Sequence, residues 1–150
     1  MHRLKLGEPG PRQRRDRLWE STCFEAFVAT GSGGYLEFNF SPGGDWAAYR
    51  FAAYRRPDSE AVGIGAPDVH TERSSDLLSV MALIDAPELL RHGDPATLRV
   101  GLTAVIEDLD EIRTYWALRH TQPRPDFHDP AGFAWRLDPE PAAGIEMEIR

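Results

Sequence analysis

Residues 18–51, LWESTCFEAFVATGSGGYLEFNFSPGGDWAAYRF, decide the fold. Their central run, YLEFNFS at 35–41, alternates strictly. Leu36, Phe38 and Phe40 fall on one side, while Tyr35, Glu37, Asn39 and Ser41 fall on the other. A strand has a side-chain period of two, so the run offers one apolar face to a core and one face that places hydrogen-bonding groups beside an aromatic ring. Residues 22–28 alternate likewise, with Phe24, Ala26 and Val28 opposite Cys23, Glu25 and Phe27. The segments TGSGG (30–34) and SPGGD (41–45) are turn sequences, because glycine adopts positive φ without steric cost. The alanine-rich run WAAYRFAAYRR admits a helix with Trp46, Tyr49, Arg50 and Ala53 on one face. The turn before it and the strands around it favour a return strand over 46–54.

Working outward, 57–75 is rich in Pro, Gly, Ser and Asp and reads as a long loop, with a short edge strand at 62–64. Residues 77–84 are apolar on both faces, as in a buried strand. Asp85, Pro87 and Glu88 form a helix start and Gly93 a stop, which predicts one short helix. In 98–107, Leu98, Val100, Leu102, Ala104 and Ile106 point inward, and Arg99, Thr103 and Glu107 outward. A tight acidic turn at 108–111 leads to a return strand over 112–120. A proline-stiffened loop follows over 121–130, and short strands at 133–137 and 145–149 complete the pattern. Many short strands separated by turns, with one short helix, predict an all-β fold: a two-sheet antiparallel β-sandwich of jelly-roll or immunoglobulin-like type.

A length of 150 residues suits one domain that needs no disulfide or metal to fold. The net charge of −7 is uneven. Residues 1–18 hold six basic side chains against Glu8 and Asp16, so the remainder carries −11. An acidic body argues against binding nucleic acid, whose phosphates need a basic surface. Residues 1–17, with Gly7, Pro9, Gly10 and Pro11, read as a flexible, solvated basic leader ahead of a domain over 18–150. Cys23 is the lone cysteine, inside an apolar strand, and reads as a small core residue. No run approaches 18 apolar residues, so no membrane span is expected. No apolar signal region is visible either, which makes the cytoplasm the expected location.

Motifs of the common enzyme classes are missing: there is no G-x-S-x-G, P-loop, H-E-x-x-H or C-x-x-C. The expectation is a non-catalytic protein without cofactor or metal. Glu25 and Glu37 on neighbouring strands could form the carboxylate pair of a glycosidase. The favoured reading makes them outward glutamates on a solvated sheet, paired with Arg50 or Arg99. His120, Asp126 and His128 are close in sequence on the proline-stiffened loop. A metal site there is conceivable, but the spacing is no recognised ligand pattern, and a hydrogen-bonded loop or polar rim is favoured. The acidic turn lacks the glycine-centred loop of an EF-hand. An indole can carry the apolar face of a sugar ring while neighbouring polar groups take its hydroxyls. Trp46 beyond the turn from Glu37 and Asn39, and Trp116 near His120, fit that use. For any single tryptophan, burial in the core is the favoured reading, since burying large rings dominates the packing energy. Haem, with His120, His128 or Met81 as axial ligand, is a further and less favoured option.

The blocks LWESTCFEAF, YLEFNFSPGGDWAAYRF and YWALRHTQPRPDFH resemble bacterial DOMON-like domain proteins, which are similar to family 9 carbohydrate-binding modules. The likeness spans most of 18–137. It implies a β-sandwich with a non-catalytic ligand-binding role, sugars or haem being the ligands known for relatives. The family's glutamate in the C-F-E-A-F block corresponds to Glu25, its E-F-N-F-S-P block to residues 37–42, and its tryptophan after the turn to Trp46. Family members carry further N-terminal strands where this chain has residues 1–17. A missing strand would open a sheet edge or leave a gap in the core, so low stability, or a homodimer through that edge, is expected. The expected ligand is a saccharide or sugar-containing small molecule. Its expected contacts on the strands are Glu25, Tyr35, Glu37, Asn39, Trp46 and Arg50. Those near the loop are Trp116, His120, Asp126 and His128. A structural or protein-interaction domain without small ligand is the alternative.

Overall fold

Alternation in the chain becomes two layers in space. A computed structural model describes residues 4–29, 33–59, 63–85 and 98–136, together with the backbone of 145–149. The strands are β1 (Cys23–Ala29), β2 (Tyr35–Phe40), β3 (Trp46–Ala53), β4 (Arg56–Pro57), β5 (Asp68–Arg73), β6 (Leu78–Leu83), β7 (Arg99–Glu107), β8 (Arg113–Ala117), β9 (Trp135–Arg136) and β10 (Ile145–Ile149). The larger sheet runs β4-β3-β2-β1-β7-β8, with β9 also pairing β7; the smaller runs β10-β6-β5. All these pairings are antiparallel. The fold is an all-β sandwich. No helix among the described residues is long and apolar enough to cross a membrane.

Register fixes which side chains meet. Ala26 stands between Phe38 on β2 and Leu102 on β7, and Val28 between Leu36 and Val100. With Phe24 and Phe40 they form the inner face of the larger sheet, packed on Val69, Leu78, Val80 and Ala82 of the smaller sheet. Each valine, leucine or phenylalanine among them, fully buried, contributes roughly 1.5–3 kcal/mol. The alanine-rich run is a strand, since its register with β2 buries Trp46 and Ala48 in that core.

Three expectations need correction. Part of the stretch read as a long loop is a strand. β5 pairs β6 along its whole length, and its one buried side chain, Val69, is an apolar signal too sparse for periodicity to register. Residues 63–67 form no strand, and residue 62 lies outside the described residues. β6 buries apolar side chains on one face only. Leu78, Val80 and Ala82 enter the core, whereas Met81 and Leu83 are exposed on the outer side of the small sheet. On β7, Thr103 and Glu107 are buried and do not face solvent, because the second face of the larger sheet is covered as well. The short helix expected from Asp85 onward lies, from residue 86, outside the described residues.

The segment read as a free leader is anchored from residue 4 on. Lys5 N–H donates to the Glu107 carbonyl (2.8 Å), Gly10 N–H to Gly43 (2.7 Å) and Arg15 N–H to Trp46 (2.8 Å), while Trp46 N–H donates to Gln13 (3.1 Å). Leu6 joins the core. Buried Asp45 accepts from Gln13 N–H (3.2 Å) and from the Arg15 guanidinium (3.3 Å). Glycines permit the approach: a Cβ on Gly43 would lie 2.6 Å from the Glu8 carbonyl oxygen, and one on Gly10 2.7 Å from Asp45 Oδ1. Backbone pairing of this kind leaves no trace in composition, which is why the segment reads as solvated.

Removing the Asp45 carboxylate leaves the Gln13 amide without its acceptor. Asp45→Ala should cost about 1–3 kcal/mol in denaturant unfolding. Amide exchange at residues 10–15 should speed up while β1 and β2 stay protected. Unchanged exchange in the segment would show that Asp45 does not hold it.

Candidate ligand-binding groove

The second face of the larger sheet carries the alternate residues: Glu25 and Phe27 on β1, Tyr35, Glu37 and Asn39 on β2, Tyr49 and Phe51 on β3, and Gly101, Thr103 and Val105 on β7. Where the smaller sheet covers one side, this side is flanked by the N-terminal segment and by the loop after β8. Between them lies a groove of about 870 Å³, within the size range of small-molecule sites.

Glu25 and Glu37 lie at its floor, 3% and 5% exposed. Glu25 pairs across the sheet with Asn39 and Thr103, and Glu37 with Phe27 and Tyr49. The two glutamates are therefore diagonal neighbours, with Cα atoms roughly 7–8 Å apart. The Thr103 hydroxyl donates to Glu25 Oε2 (2.9 Å) and the Asn39 amide to Glu37 Oε1 (2.7 Å). Burial pushes the Glu25 pKa up to about 8, and the Glu37 charge adds to the rise. Burial also raises Glu37, against the Asn39 hydrogen bond and the Arg55 charge. Burial pushes the Cys23 thiol up too; it donates to Asn39 Oδ1 (3.5 Å). Near neutral pH the floor thus presents the protonated Glu25 carboxyl, a donor, beside Glu37, whose Oε1 accepts from Asn39 and whose charge helps hold the Glu25 proton in place.

His128 enters from the loop into an aromatic box. Its ring lies edge-on to Phe51 at 5.0 Å, Phe27 at 5.3 Å and Tyr35 at 5.9 Å. Burial lowers its pKa to about 4, so it is neutral. Arg55 N–H donates to the Tyr35 hydroxyl (3.1 Å), which leaves the phenol proton for His128 Nδ1 (2.7 Å). That network assigns the ring proton to Nε2, which faces Glu37 Oε2 at 3.8 Å. The loop is pinned by Asp126, which accepts from the Tyr54 hydroxyl (2.5 Å) and the Arg55 guanidinium (2.8 Å). Arg55 sits in the tight connection between β3 and β4 with φ +50°, in the left-handed region. Farther along, Phe133 stacks on Phe27 (5.8 Å, 20°) and occupies the space a Cβ on Gly101 would need, 2.8 Å from its ring.

The rims are aromatic. Trp19, 39% exposed, meets Tyr49 edge-on at 5.7 Å. Tyr115 on β8 meets Phe127 at 6.1 Å. Arg14 lies over the Tyr49 ring at 5.6 Å.

Of the residues expected in a site, Glu25, Glu37 and His128 line the groove. Tyr35 and Asn39 support them from below, and Asp126 acts through Arg55. Four others are not brought in as expected. Trp46 is buried in the sandwich core, on the opposite face, so it cannot be a stacking platform. Arg50 stands opposite Leu36, hence not on the floor face, although it is among the residues that line the groove. Trp116 stands opposite Ala104, a core residue, and is exposed on that same far side. His120 is exposed beside Phe127, 6.3 Å between rings. Nor are Glu25 and Glu37 solvated partners of Arg50 or Arg99; both are buried, and Arg99 donates to the Phe133 carbonyl (3.0 Å). His120, Asp126 and His128 do not converge, and no group of three metal-ligating side chains is found among the described residues. Sequence reasoning missed Phe27, Tyr49 and Phe51 as site residues, although they share the parity of Glu25 and Glu37. It also missed Arg55 and Phe127, which only the chain's path brings in. Comparison with family models, with curated proteins and with solved structures finds no match for the chain.

The buried carboxyl makes stability depend on pH. The folded pKa of Glu25 is raised, so its contribution is full below the unfolded value and is lost as pH rises through about 8. His128, lowered to about 4, opposes this only below its ordinary value of 6.5. Between pH 6.5 and 8 the protein should therefore lose roughly 1–2 kcal/mol. Glu25→Gln should flatten that slope in denaturant unfolding. An equal slope in the variant would place the titration elsewhere.

Proposed function

We propose that the protein is a non-catalytic binding module for a carbohydrate or sugar-containing small molecule, held in the groove above Glu25 and Glu37. The observation that carries this reading is the pairing of a donor carboxyl and an acceptor carboxylate on a floor between aromatic rims. A sugar offers adjacent hydroxyls, each able to give and take a hydrogen bond, on a ring with an apolar C–H face. Trp19 and Tyr49 on one rim and Tyr115 and Phe127 on the other suit that face. The likeness of the three sequence blocks to DOMON-like proteins supports the same reading, and so does the pinning of the loop through Asp126, which gives the groove a defined shape before any ligand arrives. The lone, buried Cys23 suits a reducing compartment such as the cytoplasm.

One observation favours a second reading. A carboxyl held protonated near neutrality beside a carboxylate is the arrangement of glycoside hydrolysis, with Glu25 as general acid and Glu37 as its partner. Turnover of a chromogenic glycoside that disappears in Glu25→Gln would establish that reading; inactivity across a broad panel would remove it.

A thermal-shift screen against a saccharide panel tests the binding module. A ligand at ten times its Kd stabilises by about 1.4 kcal/mol and should raise Tm by roughly 3–5 °C. Trp19→Ala should abolish the shift while leaving the unliganded melt within a few degrees, and Trp116→Ala should leave the shift intact. A cooperative melt that no saccharide moves would overturn the proposal and favour an interaction domain without small ligand.

A further inference from the structure

The charges around the groove are unequally matched. Three arginines around it already have a carboxylate: Arg14 with Asp16 (3.0 Å), Arg55 with Asp126 (2.8 Å) and Arg113 with Glu107 (3.4 Å). The floor has no such pairing. The hydrogen bonds to Glu25 and Glu37 come from a hydroxyl and an amide, both neutral. Arg55, held by Asp126, acts on Glu37 through its charge alone, and His128 Nε2 stands 3.8 Å from Glu37 Oε2, beyond hydrogen-bond distance. Two carboxyl groups that are almost wholly buried, line a cavity and make no salt bridge to a lysine or arginine among the described residues are costly unless something supplies the missing charge. Rings stand beside them. Phe27 and Tyr49 flank Glu37 directly in the sheet, and Trp19 meets Tyr49. Aromatic faces next to carboxylates are the surroundings that favour an ammonium group.

We propose that the groove selects a ligand bearing a protonated amine, of the amino-sugar class, whose ammonium supplies the missing positive charge between Glu25 and Glu37. This rests on the reading of the groove as a sugar site and narrows it. Neutral sugars meet the hydroxyl requirements of the floor but leave its charge unmatched, and N-acetylated sugars place a neutral amide there. Without ligand, Glu25 keeps a proton in place of a counter-ion. When the ammonium arrives, that proton leaves to solvent, so one positive charge enters as one departs and no bond other than Glu25 O–H is broken. The other groups facing the floor keep their states. Cys23 and Tyr35 remain protonated, His128 remains neutral, and Arg14, Arg55 and Arg113 remain paired.

Calorimetric titration of the full chain at pH 6.5 tests this. Glucosamine, galactosamine and mannosamine would be compared with their neutral and N-acetylated counterparts, in two buffers of different ionisation enthalpy. At least one amino sugar should bind tenfold or more tighter than both counterparts, with release of close to one proton. Glu25→Gln and Glu37→Gln should each erase that preference. Equal affinity for neutral and amino sugars, or tight binding of an amino sugar without proton release in the unaltered protein, would overturn the inference and leave the sugar-binding reading standing. Failure of every sugar to bind would overturn both. The proton count needs no variant, so the test holds even if a substitution impairs folding.

Discussion

β1 is buried on both faces, and the architecture depends on that constraint. Its even-numbered side chains close the sandwich against the smaller sheet, while Glu25 and Phe27 point into a second covered space. β2 and β7 pair along its two edges over nearly their full overlap, so the register of β1 sets the height of Phe38 against the core and of Glu37 against Glu25. A slip of one residue would exchange the faces, placing carboxylates in the core and rings in the groove. Few strands are held to their register by such unequal alternatives.

The covered second face explains why charged groups behave unusually there. A glutamate on an open sheet is solvated and ordinary. Here the loop after β8 and the segment ahead of β1 limit the access of water, and the basic group the loop brings to the floor, His128, is a neutral imidazole. Desolvation then dominates the ionisation of Glu25, Glu37 and His128 together. The Tyr35 hydroxyl, accepting a hydrogen bond from the Arg55 backbone amide and making another to His128, links the β3–β4 turn to the floor.

Much of this was legible in the sequence, and the limits are physical. The alternation in YLEFNFS and CFEAF fixes both faces of β1 and β2, and it places Glu25, Glu37 and Asn39 together. The same rule of parity assigns Trp46 to the core once its pairing with Phe40 is known, yet the length of the preceding turn sets that pairing, and SPGGD does not declare it. The tryptophans drew attention by type, whereas position decided their use: Trp19 reached the rim and Trp116 the far side. β5 was hidden because an edge strand over a small sheet needs one buried side chain, and one is too few to make a period. The N-terminal segment was hidden because main-chain hydrogen bonds and two close glycine contacts hold it, and neither depends on a recognisable side-chain pattern.

The left-handed turn residue Arg55 has a broader consequence. Its amide reaches the phenol below the floor, while its guanidinium and its neighbour Tyr54 both reach the Asp126 carboxylate of the covering loop. Scaffold, covering loop and floor are thus fastened at one rivet beside the groove. Divergence can then proceed unevenly. The rim rings and the floor carboxyls are free to be exchanged for other chemistries, one alternate position at a time, while the sandwich on the far side of the same strands and the rivet at their end stay as they are. Such a layout lets one scaffold acquire a different ligand without learning to fold again.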